Sequence, residues 1–281
     1  MGGNAVHGVG VIHISELCPT LRQIELDLGL TSGYLDENLL GSAGKREYSG
    51  DIDVVMHPVD SDGMKAFSDI LRTRYGQFNV KKAGNMFNVA VPIIGYNESL
   101  QGRIPRTGTV QVDFIFAEPE YTKLFNFSPG DKSKYKGVHR NLAISAISGY
   151  TDRYTSDELD GFGRPIETIR WKFSTHGFFK ISRKSRYNTN GEWIKSQKDE
   201  QIGTTKTDPL LIAEILFGDG AQVGDLDSLE TIIAACKRFF DEDKQQLIYS
   251  RIAFNLKEYN ARSEKVDLSS YGVPDEIAPY M

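Results

Sequence analysis

Three aspartates and a Gly-Ser pair are the residues of this 281-residue chain whose types and spacing could do chemistry. Gly41-Ser42 is followed ten residues on by Asp51, in the run Ser49-Gly50-Asp51-Ile52-Asp53. A third carboxylate, Asp113, lies inside Val110-Gln111-Val112-Asp113-Phe114-Ile115-Phe116. In a strand, residues i and i+2 share a face, so Asp51 and Asp53 converge. Neighbouring anions repel, and holding them together calls for a counter-charge. With Asp113 on an adjacent strand, three hard oxygen donors meet at one sheet surface, the set that Mg²⁺ or Mn²⁺ prefers beside waters and a phosphate. Two such ions ~4 Å apart can activate an attacking hydroxyl and stabilise the leaving oxygen of an in-line phosphoryl displacement. Gly41 lets the backbone approach a ligand closely, while Ser42 offers a hydroxyl and an amide to phosphate oxygens. Lys45 and Arg46, in the loop between, are placed to neutralise a triphosphate tail, and Ser49 and Gly50 add a hydroxyl and a further amide. An Asp-x-Asp pair alone is commonly a solvated surface pair. The Gly-Ser step ahead of it and the later strand aspartate favour a metal site.

The elements that must position these groups are legible from periodicity. Apolar residues at 21, 24 and 28, closed by Gly29, predict a helix over 19–29. Residues 9–14 read as a short strand or an extended arm. Residues 51–56 alternate and then turn continuously apolar, as a strand entering a core does. Residues 64–75 read as a helix, 78–80 and 86–94 as strands joined by a Gly84-Asn85 turn, and 110–116 as the strongest strand of the chain. A mixed sheet with helices packed against it follows, an α+β palm. Residues 137–149 read as a helix and 150–206 as polar and turn-rich. Asp208-Pro209 begins a mostly helical C-terminal part. The expected division is 1–120, 121–206 and 207–281.

Composition narrows the class. With 33 basic and 38 acidic side chains the net charge is −5, and 11% aromatic content excludes a disordered chain. A nucleic-acid coat is disfavoured, although a local basic groove is allowed. Cys18 and Cys236 are too few for a Cys-rich zinc site and read as two reduced, buried thiols. No export signal and no membrane-length apolar run is present, so a cytoplasmic location is expected, the host cytoplasm if the chain is viral.

The run Gly41 to Val54 resembles the active-site signature of the DNA polymerase beta-like nucleotidyltransferase superfamily. It is similar above all to the family X polymerases, whose pattern is Gly-Ser, a basic loop, Ser-Gly-Asp, an apolar residue and Asp-Val. Asp113 is similar to that family's third metal carboxylate. Residues 124–131 resemble its aromatic-Ser/Thr-Gly turn, which holds the nucleotide sugar. The resemblance implies two bound Mg²⁺ (or Mn²⁺) ions on Asp51, Asp53 and Asp113, with a nucleoside triphosphate near Gly41, Ser42, Lys45, Arg46, Ser49, Gly50, Phe127 and Gly130. Arg140, opening the next helix, is a further candidate against nucleotide or primer. It covers 38–57 and 110–116 well and 121–150 more loosely. Only 40 residues precede Gly41, so the family's fingers and lyase regions are expected to be absent. Asn126 replaces an aromatic, and Pro129 reads as an insertion. Transfer of an NMP or dNMP to a hydroxyl, above all a nucleic-acid 3′ end, is therefore better supported than processive or gap-filling synthesis.

Two other classes compete: an inactive nucleotidyltransferase fold serving as a binding or structural component, and a small-molecule, tRNA or protein nucleotidyltransferase. The discriminator is the acceptor. Residues 170–206 carry nine basic and three acidic side chains interleaved with six aromatic ones. Such a mix can grip a phosphate backbone and stack bases, or be a hairpin with a solvated charged face. His7, His13, His57 and His176 have no spaced partners and read as structural or exposed.

Overall fold

A computed structural model describes residues 5–97, 106–175, 177–194, 199–262 and 271–281, so that His176, Lys195 and Lys198 lie outside the described residues. The fold is α+β, and the chain divides into two compact units, Met1–Gly137 and Val138–Met281. The first unit runs β1 (Ile12–His13), α1 (Ile14–Leu28), α2 (Tyr34–Glu37), β2 (Tyr48–Ser49), β3 (Asp51–Met56), α3 (Ser61–Tyr75), β4 (Val80–Ala83), β5 (Met86–Pro92), β6 (Thr109–Phe116) and α4 (Pro119–Phe125).

Its main sheet has the order β3-β6-β5-β4. β3 pairs β6 in parallel, and the other two pairs are antiparallel. The two-residue period sorts each strand. Ile52, Val54, Val112, Phe114, Phe87 and Val89 are fully buried on one face. There they join Leu21 and Ile24 of α1 and Met64 and Leu71 of α3 in a single core. Phe67 of α3 sets its ring 5.1–5.8 Å from those of Phe87, Phe114 and Phe116. Each fully buried side chain of this kind contributes about 1.5–3 kcal/mol. That burial allows the opposite face to carry carboxylates that repel.

Helix α1 begins at Ile14, earlier than the expected start at Pro19. The reason is a capping box: the His13 ring accepts from the Ser15 N–H, and Glu16 accepts from the His13 N–H. The cap outweighs the one ladder bond that Pro19 forgoes. Its C-terminus ends as expected at Gly29, with φ +65°. Beyond it, buried Glu25 accepts from the backbone N–H groups of Gly33 and Leu35 and from Arg22. Burial by itself would raise the Glu25 pKa, but the Leu35 and Gly33 amides and Arg22 reverse this and hold it below the ordinary value. Glu25→Ala is expected to lose about 2–4 kcal/mol in urea denaturation, because the buried Leu35 amide and the half-buried Gly33 amide lose their acceptor. Glu25→Gln, which keeps an acceptor oxygen, is expected to lose less.

The second unit opens with α5 (Gly137–Ser148) and continues with β7 (Tyr154–Thr155), β8 (Glu167–Ser174), β9 (Gly177–Lys184), β10 (Glu200–Lys206), α6 (Pro209–Phe217), α7 (Leu229–Phe239) and α8 (Glu242–Arg262). The turn-rich stretch after residue 150 thus contains an antiparallel sheet of order β10-β9-β8-β7. Trp171, Phe173, Phe178 and Phe179 are buried, and Trp171 stacks on Phe178 at 4.6 Å. Asp208 and Pro209 begin α6 as the sequence predicts. Both cysteines are free. Cys236 is buried, but Cys18 is exposed on α1, correcting the expectation of two buried thiols. No helix among the described residues is long and apolar enough to cross a membrane.

Candidate metal centre

The parallel register sets Asp53 of β3 beside Asp113 of β6 and Asp51 beside Gln111. One carboxylate oxygen from each of Asp51, Asp53 and Asp113 lies within 4.8 Å of the others. The group can hold a metal ion. Among the described residues, no Lys, Arg or His makes an ion pair with any of the three. Burial, with Asp113 close by, pushes the Asp51 pKa up to about 6. Burial, with Asp51 and Asp113 both near, pushes Asp53 up to about 8. Burial also raises Asp113, against the two amide donors on its Oδ1. Gathered, desolvated carboxylates that no described side chain neutralises fit a hard divalent ion, which supplies positive charge.

Two residues that sequence reading did not single out orient Asp113. Asn88 Nδ2 and Gln111 Nε2 each donate to its Oδ1 at 2.8 Å. The Gln111 amide is held in turn through its Oε1, which accepts from the Ala5 and Val6 N–H groups at 2.9 and 3.2 Å. Gln111 stands two positions before Asp113, so the same-face rule that paired Asp51 with Asp53 would have found it. Asn88 becomes visible only through the β5–β6 register.

Gly41 arrives at Asp53 along a short edge to β3. Val55 N donates to Asn38 O, Leu40 N donates to Asp53 O at 2.8 Å, and Leu39 bridges Val54. Gly41 itself has φ +63°, and a Cβ there would stand 2.9 Å from Asp53 Oδ2. Its N–H donates to Asn126 O, and it bridges Phe127 in parallel. The aromatic turn therefore meets the Gly-Ser step. Lys45 Nζ donates to Ser128 O at 3.0 Å and lies 4.8 Å from the centre of the Phe127 ring. Gly130, at φ +61°, would place a Cβ 2.8 Å from Lys45 Cβ. Gly41, Ser42, Lys45, Phe127 and Gly130 are thus one cluster despite their distance in sequence.

The remaining candidates are placed differently. Ser49 is buried and turns its hydroxyl to the Ser42 carbonyl at 3.4 Å, fixing the loop. Arg46 buries its Nε without a hydrogen-bond partner among the described residues. Gly50 is exposed, with open space where a Cβ would stand. Phe125 ends α4. His139 and Arg140 are both buried in the second unit. Arg140 donates from Nε to Leu226 O and from Nη1 to Asn141 Oδ1.

The fold and the site together define an α+β protein with an acidic, metal-competent centre on a mixed sheet. No protein-family model matches the chain, and no curated protein matches it. Among solved structures it is similar to Leishmania infantum polymerase beta in a ternary P/T complex, at 15% identity and a TM-score of 0.34, over 60% of this chain and 57% of that one. It is also similar to the same protein in a ternary gap complex, at 15% identity and a TM-score of 0.34, over 60% of this chain and 51% of that one. The chain spans little more than half the length of these structures, and at that TM-score the likeness carries no weight for function.

Proposed function

We propose that this chain is a metal-dependent nucleotidyltransferase that moves an NMP or dNMP from a nucleoside triphosphate to a hydroxyl acceptor, with release of pyrophosphate. The observation that carries this reading is the convergence of Asp51, Asp53 and Asp113 beside a left-handed glycine where any Cβ would crowd Asp53. When bound, Mg²⁺ or Mn²⁺, two ions in this reading, supplies charge neutralisation and a lowered hydroxyl pKa. The chain's own residues do the rest by positioning. Asp51 and Asp53 hold the metal ligand set, and Asp113, fixed by Asn88 and Gln111, stands ready to take the proton of the acceptor hydroxyl. Ser42, Gly50 and the Gly41 turn face the polyphosphate, with Ser49 bracing them. Lys45 and Arg46 neutralise its charge, the buried Arg46 Nε being suited to an anionic partner. Phe127 and Gly130 flank the sugar. In this reading residues 1–120 act as the palm, 121–206 as a thumb-like region and 207–281 as helical support, in a cytoplasmic setting. A nucleic-acid 3′ end is the favoured acceptor.

The test is incubation with each labelled NTP and dNTP, Mg²⁺ or Mn²⁺, and single-stranded, primer–template and tRNA acceptors. Extension is expected for the wild type and loss of it for Asp113→Ala, with the fold retained by circular dichroism. Unchanged turnover in Asp113→Ala would reject the role. Metal and nucleotide binding without product on any acceptor would favour the scaffold reading.

A further inference from the structure

The second unit contains a cleft of about 680 Å³ that the chemistry above does not use. It is lined among others by Arg164, Arg183, Arg186, Tyr187, Trp193 and Asp199. Four of the six aromatic residues of the basic-aromatic segment are consumed by the sheet core. Tyr187 and Trp193 are not, and Phe162 joins them from a neighbouring loop. Phe162 is 62% exposed and Trp193 54%, large apolar surfaces for side chains that normally bury.

These rings are interleaved with cations. Tyr187 meets Phe162 edge-on at 4.8 Å and Trp193 at 5.1 Å. Arg164 lies 5.0 Å from the Tyr187 ring centre and 5.3 Å from that of Phe162, and Arg186 lies 5.6 Å from Trp193. The scaffold beneath is built rather than loose. Buried Asp160 accepts from the Phe162 and Arg164 N–H groups, from Arg164 Nε and from the Ser185 hydroxyl. Tyr187 and Trp193 bridge across the adjoining turn, and Ile194 N donates to Arg186 O. Gly161 approaches the 188–191 turn so closely that a Cβ would stand 2.3 Å from Gly191 N. Such pre-ordering lowers the entropy cost of gripping a flexible ligand.

The charge balance is positive and exchangeable. Arg183 pairs with Asp199 at 3.6 Å and Lys184 with Glu200 at 3.7 Å, all four side chains substantially exposed, so a phosphate can replace either acid at little cost. Arg186 has no carboxylate within ion-pair distance among the described residues. Arg170, on β8, is half-buried near Arg183, Arg251 and Arg153, whose repulsion adds to desolvation in lowering its pKa.

We infer that this cleft binds single-stranded nucleic acid, with bases stacked on Trp193 and Phe162 and phosphates held by Arg186 and Arg183. Exposed aromatic faces alternating with cations match an alternation of bases and phosphates. An acidic peptide needs only the cations, and a duplex hides the base faces. The inference gives the acceptor of the proposed reaction a surface and in that respect rests on that reading. Binding itself needs neither metal nor nucleotide.

The test is fluorescence anisotropy of the full chain with labelled (dT)12, the matching duplex and an oligo-glutamate peptide, without metal, across a salt series. (dT)12 is expected to bind more tightly than the duplex or the peptide. Trp193→Ala is expected to weaken it about 5- to 100-fold and Trp193→Phe only a few-fold. Arg186→Ala is expected to lower the slope of log affinity against log salt by about one, whereas Lys65→Ala, on α3, leaves it unchanged. Thermal melts of each variant separate lost binding from lost folding. Equal affinity for oligo-glutamate, an unaffected Trp193→Ala that folds normally, or no binding of (dT)12 would each overturn the inference. Binding of (dT)12 without transfer to any acceptor would sink the enzymatic reading and leave this one standing. Transfer with normal (dT)12 binding by a folded Trp193→Ala would do the reverse.

Discussion

Asp53→Asn is expected to abolish nucleotidyl transfer, by about 10³-fold or more, while making the metal-free protein more stable. The two effects have one cause. The Asp53 carboxyl is held at about 8 against an ordinary 3.8 by burial and by its two anionic neighbours. The folded chain therefore keeps a proton there that the unfolded chain has already lost. Stability is greatest below about pH 4 as far as this group is concerned, and it falls as pH rises from there through about 8. Asparagine removes the charge and with it the loss. Urea denaturation without divalent ions should show the variant exceeding the wild type by at least about 1 kcal/mol at pH 8, with the gap closing towards pH 5. Mg²⁺ or Mn²⁺ is expected to raise the wild-type melting temperature more at pH 8 than at pH 6, since less proton displacement is then required. It should leave Asp53→Asn nearly unmoved. A wild type whose metal-free stability is flat between pH 5 and pH 8 would contradict the strained-carboxylate account.

Gly41→Ala is expected to lower transfer by at least about 10²-fold, the cost of displacing a reacting group by about 1 Å. Two penalties coincide at this residue. Its φ of +63° disfavours any side chain by about 1–2 kcal/mol, and the new methyl would stand 2.9 Å from Asp53 Oδ2. Gly84 separates the two. It also has φ +63°, but a Cβ there meets nothing within 4 Å. Gly84→Ala should therefore lose a similar amount of stability in a thermal melt and keep its turnover. If the two variants are equally active, the close approach of Gly41 to the carboxylate has no catalytic consequence.

The strands and the acidic cluster were open to reading because their signals are local. Residues 51–54 and 109–114 alternate polar and apolar side chains as a strand does, and Asp51 and Asp53 share a face by that period alone. Other features depended on competition between distant groups. Pro19 reads as a helix start, yet the His13–Glu16 cap begins the helix sooner. Arg140 reads as a cation set against nucleotide or primer, yet it is buried and donates to the carbonyl of Leu226. The polar stretch after residue 150 hides a sheet because Phe178 and Phe179, adjacent in β9, are both buried and so occupy opposite faces, which breaks the alternation that marks a half-buried strand.

What the sequence determined by itself is the chemistry on offer: three carboxylates, a glycine-serine step, a basic loop and a segment of cations and rings. Tertiary structure decided which of them meet. The β3–β6 register brings Asp113 beside Asp53, and it also aligns the amides that steady it. The Gly41–Phe127 bridge carries the aromatic turn to the basic loop. Packing of the 160–164 turn against the 185–193 loop leaves Trp193 and Phe162 in solvent. The physical reason is that periodicity fixes which side of an element a residue occupies, whereas proximity between elements is set by burial of the apolar side, on which none of these functional groups lies.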